Sequence, residues 1–200
     1  LLKLGRLEEA SEVMEQISAQ VKADRSLPPA LKARACANAA IFQHKRGEIE
    51  AAGTAFDACL AESPAAQEVI YPMIEFLEQS DQGDRVLDLL TEQASLKAAK
   101  GRLMIQVLLA AQLRGSDRVT EATDVLLRTA EYLEAPQGWL ELAEHYVLID
   151  DMPGAADAVA NAIAVQTGGE VGYGLMQEDF EMLQSMGSED GLFAYGDILV

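Results

Sequence analysis

A helical hairpin pattern that recurs along the chain restricts its fold more than any other feature of the sequence. The clearest copy is GWLELAEHYVLIDDMPGAADAVANAI at 138–163. Apolar and small residues recur there at intervals of three and four, which places them on one helix face, and the pattern restarts after a turn at 150–152. We expect two antiparallel helices that bury these residues together. The expected buried residues are Trp139, Leu142, Tyr146, Val159 and Ala162.

Two earlier segments have the same arrangement around a turn. In KRGEIEAAGTAF at 45–56, Gly47 is followed by Ala52 and Phe56, and LGRLEEASEVM at 4–14 has glycine, alanine and methionine at the same offsets. Small residues at the contact between two helices let their axes approach closely. The recurrence therefore predicts a stack of helical hairpins.

The composition agrees with a helical protein. Of the 200 residues 50% are hydrophobic and only 6% are aromatic, and alanine, the best helix former, is abundant. No apolar run approaches the roughly 20 residues that a membrane-spanning helix needs, so no membrane insertion is expected. The predicted fold class is all-α, with no strand in 33–169.

The hairpin at 138–163 resembles the tetratricopeptide repeat. That family carries W-x2-L-G-x2-Y on its first helix, and Ala, an aromatic residue, Ala and a terminal Pro on its second, over about 34 residues. In this chain Ala143 stands at the position of the family's Gly, and Thr167 at that of its Pro. The resemblance implies a right-handed superhelical solenoid of antiparallel helix hairpins.

The register of this resemblance divides the chain into a solenoid at 1–169 and capping helices at 170–200. The apolar end at 197–200 is expected either to pack back on the last hairpin or to continue into further chain. The first helix of the opening repeat is expected to lie upstream of Leu1. Pro72 predicts a helix that is kinked or starts late, since proline cannot continue helical hydrogen bonding. The predicted units of the solenoid are a partial repeat at 1–32 and full repeats at 33–66, 67–102, 103–135 and 136–169.

Motifs of the common enzyme classes are missing from the sequence. There is no G-x-G-x-x-G, G-x4-G-K-[ST], G-x-S-x-G or H-E-x-x-H pattern, and the glycines at 168–174 follow no strand pattern. His44 and His145 lie on separate repeats, and a structural or surface role is expected for His145. Paired acids such as Asp150 and Asp151 are expected to cap helices. We therefore expect no enzyme activity, no cofactor and no metal site.

The resemblance implies a protein–protein interaction scaffold or adaptor, which binds a peptide or partner helix in the concave groove lined by the first helices of successive repeats. Some family members clamp a C-terminal carboxylate there, which is not expected here because Glu68 and Pro72 stand where the clamp needs cations. The alternative is a structural spacer or oligomerisation arm of a larger protein, with the groove filled by its own chain. The groove residues expected from the register are Arg34, Asn38, Lys45, Leu108, Arg114, Glu141 and Glu144.

Acidic residues are concentrated in the last third of the chain. The final 72 residues contain 14 acidic and no basic residues, so they hold −14 of the net charge of −18. This excess repels nucleic acid. One interpretation is a surface that attracts a basic protein partner, centred on Glu141 and Glu144 and extended by acids at 178–181; the other is solubility alone.

The two cysteines are expected to be neighbours. Cys36 and Cys59 fall at similar heights on facing helices of the hairpin predicted at 33–66. The favoured interpretation is two buried free thiols in a reducing cytoplasm. The alternative is a redox-sensitive pair, which requires a Cα separation below about 7 Å.

Overall fold

The computed structural model of the chain describes residues 26–96 and 102–168, together with single positions between 13 and 24. All regular secondary structure in these ranges is helical, which confirms the all-α class. The chain divides into two compact units, Leu1–Leu89 and Leu90–Val200. The helices described from end to end are α1 (Pro29–Lys45), α2 (Ile49–Glu62), α3 (Gln67–Gln79), α4 (Gly83–Ser95), α5 (Leu103–Gly115), α6 (Val119–Leu133), α7 (Pro136–Leu148) and α8 (Met152–Thr167).

In the first unit, α1 packs against both α2 and α3. The turn between α1 and α2 contains Gly47 at φ 82°, a left-handed conformation that glycine adopts without steric cost. Small side chains are buried on both helices, namely Ala37 and Ala40 on α1 and Ala52 on α2. Small residues therefore allow α1 and α2 to lie close together.

The same hairpin brings the two cysteines together. Cys36 on α1 and Cys59 on α2 form a disulfide with a Cα–Cα distance of 5.7 Å. The prediction that they are neighbours is confirmed, and the expectation of two free thiols is wrong. The physical reason is the Cα–Cα distance between the facing helices, which falls in the range that a disulfide spans.

Large apolar side chains enter the first unit mainly from α3. This helix buries six of its thirteen residues and includes Pro72 in its interior. It begins at Gln67, so the predicted alternative of a late start is wrong. Phe76 contacts Phe56 of α2 at a ring-centroid distance of 5.3 Å and meets His44 of α1 edge-on at 5.1 Å. Ring contacts of Phe76 therefore connect α3 with both α1 and α2.

In the second unit, α7 packs against both α6 and α8. A Cβ added to Gly138 would lie 2.8 Å from the Cα of Ala130, so α7 and α6 touch backbone to backbone. The turn into α8 confirms the predicted capping acids. Asp151 accepts a hydrogen bond from the Gly154 amide at 3.0 Å, and Asp150 adopts a left-handed φ of 62°.

The predicted buried stripe of α7 and α8 is correct only in part. Leu142 and Ala162 are buried, whereas Trp139, Tyr146 and Val159 are half-buried. The expectation assumed that α7 has one packing partner. Because α7 is covered on two sides, the residues that it buries differ from a single stripe and are Gly138, Leu142, Ala143 and His145.

None of the helices in the described part of the chain combines the length and apolar character that a membrane span requires. The partial repeat predicted at 1–32 falls largely outside the described residues, and the capping helices predicted at 170–200 fall wholly outside them.

Candidate functional site

A cleft of about 450 Å³ lies between α1 and α3 in the first unit. Both walls are helices, so the side chains that line it project from regular backbone. Exposed Arg34 and Asn38 lie one helical turn apart on α1, and the facing wall is the first turn and a half of α3. The lining residues are Arg34, Asn38, Gln67, Glu68, Tyr71 and Pro72.

The structure brings together only part of the predicted groove in this unit. Arg34 and Asn38 line the cleft, while Lys45 is exposed at the last turn of α1 and is not a lining residue. Gln67 and Tyr71 were not predicted. A signal for the α3 wall was present, because Glu68 and Pro72 follow Arg34 and Asn38 at the family's period of about 34 residues.

The cleft offers hydrogen-bonding groups of both kinds and charges of both signs. The Arg34 guanidinium donates only, the Glu68 carboxylate accepts only, and the amides of Asn38 and Gln67 do both. Pro72 has no N–H, so it cannot donate to the Glu68 carbonyl four residues earlier, as another residue would. Such a surface suits a peptide backbone together with charged side chains. The lining contains no histidine, cysteine or hydroxyl nucleophile paired with a base.

In the second unit, a buried polar cluster connects three helices. His145 of α7 is 1% exposed. Its Nδ1 lies 3.1 Å from a guanidinium nitrogen of Arg114 on α5, and its Nε2 lies 2.8 Å from the hydroxyl of Thr123 on α6. Arginine can only donate, so Nδ1 accepts. The Thr123 hydroxyl donates to the Val119 carbonyl, so it accepts from Nε2–H.

This arrangement requires a neutral imidazole. Burial lowers the pKa of His145, and the charge of Arg114 lowers it further. Both ring nitrogens are occupied by protein groups, which is the structural role expected for this residue. Arg114, predicted to face the groove, thus has part of its guanidinium engaged by the interior of its own unit.

The remaining predicted residues of this unit lie on α5 and α7. Leu108 and Glu141 are half-buried, and Glu144 is exposed. Burial raises the pKa of Glu141, and the neighbouring charge of Glu144 raises it further. The acids at 178–181 that were expected to extend this surface fall outside the described residues.

Within 26–96 and 102–168, no group of three or more His, Cys, Asp or Glu side chains is arranged to hold a metal ion. Among the described residues, the side chains of Gln43, Ser80 and Gln93 bury polar atoms that have no hydrogen-bond partner, and for Gln93 of α4 both atoms of the amide are affected.

No protein-family model matches the chain, and no curated protein sequence matches it. Several solved structures, by contrast, match the chain. Nearly identical kinesin light chain TPR-like repeats from Podosopora anserina match at 19% identity over 84% of this chain and 91% of that chain, with a TM-score of 0.52. BtubC from P. vanneervenii matches at 14% identity over 83% of this chain and 75% of that one, with a TM-score of 0.51.

MamA from Desulfovibrio magneticus RS-1 aligns at 17% identity over 80% of this chain and 97% of that chain, with a TM-score of 0.47. The kinesin light chain and BtubC matches, together with the helix pairs described above, show the fold. The chain is an all-α protein built on the helical hairpins of the tetratricopeptide-like repeat fold.

Proposed function

We propose that the chain is a protein–protein interaction scaffold that binds a peptide segment of its partner in the cleft between α1 and α3. The observation that carries the proposal is the cleft itself, with Arg34 and Asn38 on one wall and Glu68 and Tyr71 on the other. Its volume of about 450 Å³ lies in the range of ligand-binding clefts.

The lining favours a peptide with side chains of both charges. A carboxylate can accept from the Arg34 guanidinium, and a lysine or arginine can donate to the Glu68 carboxylate. The half-buried ring of Tyr71 provides apolar contact area between these charges. These features support binding rather than catalysis, because none of the lining groups is an activated nucleophile or a paired acid and base.

We further propose that the partner is basic outside the cleft. Glu141 and Glu144 lie one turn apart on α7, in the stretch of the sequence that has no lysine or arginine. Acidic side chains at a protein surface raise the rate of encounter with a positively charged partner. Together with Leu108 they form a second proposed contact surface, which belongs to the second unit.

The repeat divisions remain proposals as well. We assign the helix pairs α1–α2, α3–α4, α5–α6 and α7–α8 to four repeats. This assignment is supported by the start of α3 at Gln67, of α5 at Leu103 and of α7 at Pro136. Each start falls at or directly beside the first residue of a predicted repeat.

The test of cleft binding is selection of peptides from a random displayed library on the intact chain, followed by calorimetry with the selected peptide. Arg34→Ala and Glu68→Gln should each weaken binding by about tenfold, since each removes one charge-assisted contact. Arg128→Ala is the matched control, because Arg128 is an exposed arginine on α6 and is absent from the cleft. Equal affinities for all variants would overturn the proposal.

A second experiment distinguishes the proposed scaffold function from the alternative, in which the protein is a spacer whose groove is filled by its own chain. Deletion of 170–200 should leave the amide NMR signals of Arg34, Asn38 and Tyr71 unchanged if the cleft is open to a partner. Large shifts at these signals would instead favour the spacer function.

For the proposed second surface, Glu141→Gln with Glu144→Gln should lower the association rate of a basic selected peptide at low salt, and the difference should shrink at physiological salt.

A further inference from the structure

The disulfide joins α1, which forms one wall of the cleft, to α2. Of the four residues that α1 buries, three are alanines and the fourth is Phe42. By contrast, α3 buries Val, Ile, Met, Phe and Leu side chains, six residues in all. Since hydrophobic stabilisation scales with the apolar area removed from water, α1 is held less strongly than the opposite wall of the cleft.

Other supports of α1 are also weak. Its N-terminus has no side-chain cap and no acidic residue in the first turn, so its free N–H groups and its dipole are not compensated there. Its neighbour α2 likewise buries few large apolar side chains, since its buried residues are Ala52, Gly53, Phe56 and Cys59. Loss of the disulfide would therefore loosen the hairpin of α1 and α2, and with it the α1 wall of the cleft.

The position of Cys36 links this weakness to the binding surface. Cys36 lies between Arg34 and Asn38 in the sequence of α1. Residues four apart share a helix face and the residue midway between them points away, so Arg34 and Asn38 face the cleft while Cys36 faces α2. One helix thus carries the disulfide on one side and a wall of the cleft on the other.

We propose that the Cys36–Cys59 disulfide is a redox switch of the cleft: oxidation holds the α1 wall in place for binding, and reduction releases it. This inference rests on the proposed peptide-binding function, because it names the regulation of the same site. It also agrees with the bond bridging 23 positions of sequence, since a closed loop of this size restricts the unfolded hairpin.

The chemistry needs a cellular thiol of the glutathione class. Its thiolate attacks the sulfur of Cys36, the residue of the pair that is only half-buried, while Cys59 is 2% exposed. The S–S bond breaks, Cys59 leaves as a thiolate and takes up a proton, and Cys36 is held in a mixed disulfide. A second thiol releases Cys36 as a thiol and leaves as the oxidised disulfide, so two thiols are oxidised for each disulfide reduced.

The test compares hydrogen exchange of the full chain in oxidised and reduced glutathione buffers, with thiol titration to establish that reduction is complete. Amides of α1 should exchange at least about tenfold faster after reduction. Amides of α7 belong to the other unit and serve as the reference in the same sample. A Cys36→Ser/Cys59→Ser variant should show the fast α1 exchange in both buffers.

Unchanged α1 exchange after complete reduction would overturn the proposal, as would an equal acceleration in α1, α3 and α7. The binding measurement uses a peptide selected on the oxidised chain, whose affinity should fall at least about tenfold on reduction. An affinity that is insensitive to reduction would contradict the switch and leave the binding function standing. Failure of any peptide to bind in either buffer, with redox-dependent exchange of α1, would contradict the binding function instead.

Discussion

The Nδ1 of His145 lies 3.1 Å from a guanidinium nitrogen of Arg114, which makes this buried imidazole a hydrogen-bond acceptor for a permanent cation. Protonation of Nδ1 would replace this bond by repulsion between two positive charges. The packing of α5 and α7 around the pair therefore depends on a neutral histidine. A buried histidine on the helix that carries the predicted signature residues is thus part of the architecture of the second unit.

The stability of the second unit should fall as the pH falls below about 6.5. Burial and Arg114 hold the pKa of folded His145 below its ordinary value of 6.5. As the pH falls below 6.5, the histidine of the unfolded chain is therefore protonated before that of the folded protein. The free energy of unfolding decreases between pH 6.5 and the lower pKa of folded His145. Urea unfolding between pH 5 and 8 measures this, and Trp139, the one tryptophan of the chain, reports on the correct unit.

The control for this prediction is the second histidine. His145→Gln should remove the pH dependence of the Trp139 transition, together with part of the stability at pH 7. His44→Gln should leave that pH dependence intact, because His44 lies in the first unit beside Phe76. A His145→Gln variant that keeps the full pH dependence would show that another group is responsible.

Gly138→Ala should destabilise the contact between α7 and α6. The new methyl group would lie 2.8 Å from the Cα of Ala130, and only a shift of backbone can relieve that contact. Overpacking of this kind costs about 1–3 kcal/mol. Gly115→Ala is the matched control in the same unit, because a Cβ there meets no atom within 4 Å. The free energies of unfolding from urea titrations should differ between the two variants by at least about 1 kcal/mol.

Gly47→Ala should destabilise the hairpin of α1 and α2 without any clash. No atom lies within 4 Å of the added Cβ, but φ at this position is 82°, and the left-handed region costs a residue with a Cβ about 1 kcal/mol. Gly83→Ala, equally free of contacts and without a positive φ, should be neutral or slightly stabilising. Thermal unfolding followed by circular dichroism at 222 nm under oxidising conditions compares them. Similar melting temperatures would mean that the turn adapts to the side chain.

Glu141→Gln should raise the stability of the second unit at neutral pH. Burial and the charge of Glu144 hold the pKa of this carboxyl above its ordinary value of 4.5. The ionised side chain therefore opposes folding once the pH rises through the folded pKa, and a neutral amide removes this penalty. Glu131→Gln, at an exposed position of α6, should change stability by less than about 0.5 kcal/mol. A destabilised Glu141→Gln variant would mean that the carboxylate makes a favourable contact.

Local sequence determined the hairpins, their all-α class and several details of their ends. Residues three and four apart share a helix face whatever the rest of the chain does, so the 138–163 pattern was sufficient to predict α7 and α8. Helix capping is equally local, because Asp151 accepts a hydrogen bond from the amide of Gly154, three residues further along the chain. The proximity of Cys36 and Cys59 also followed from the hairpin, since two antiparallel helices joined by a short turn set the register between them.

Tertiary structure decided which residues of each helix became central. A helix in a stack touches two neighbours, and sequence periodicity does not tell how its buried surface is shared between them. For that reason His145 lies in the core while Trp139 and Tyr146 are only half-buried. The α3 wall of the cleft, with Glu68 and Tyr71, likewise depended on how α3 packs on α1. The bond between Cys36 and Cys59 required a Cα–Cα distance of 5.7 Å between two helices, and sequence periodicity does not set that distance.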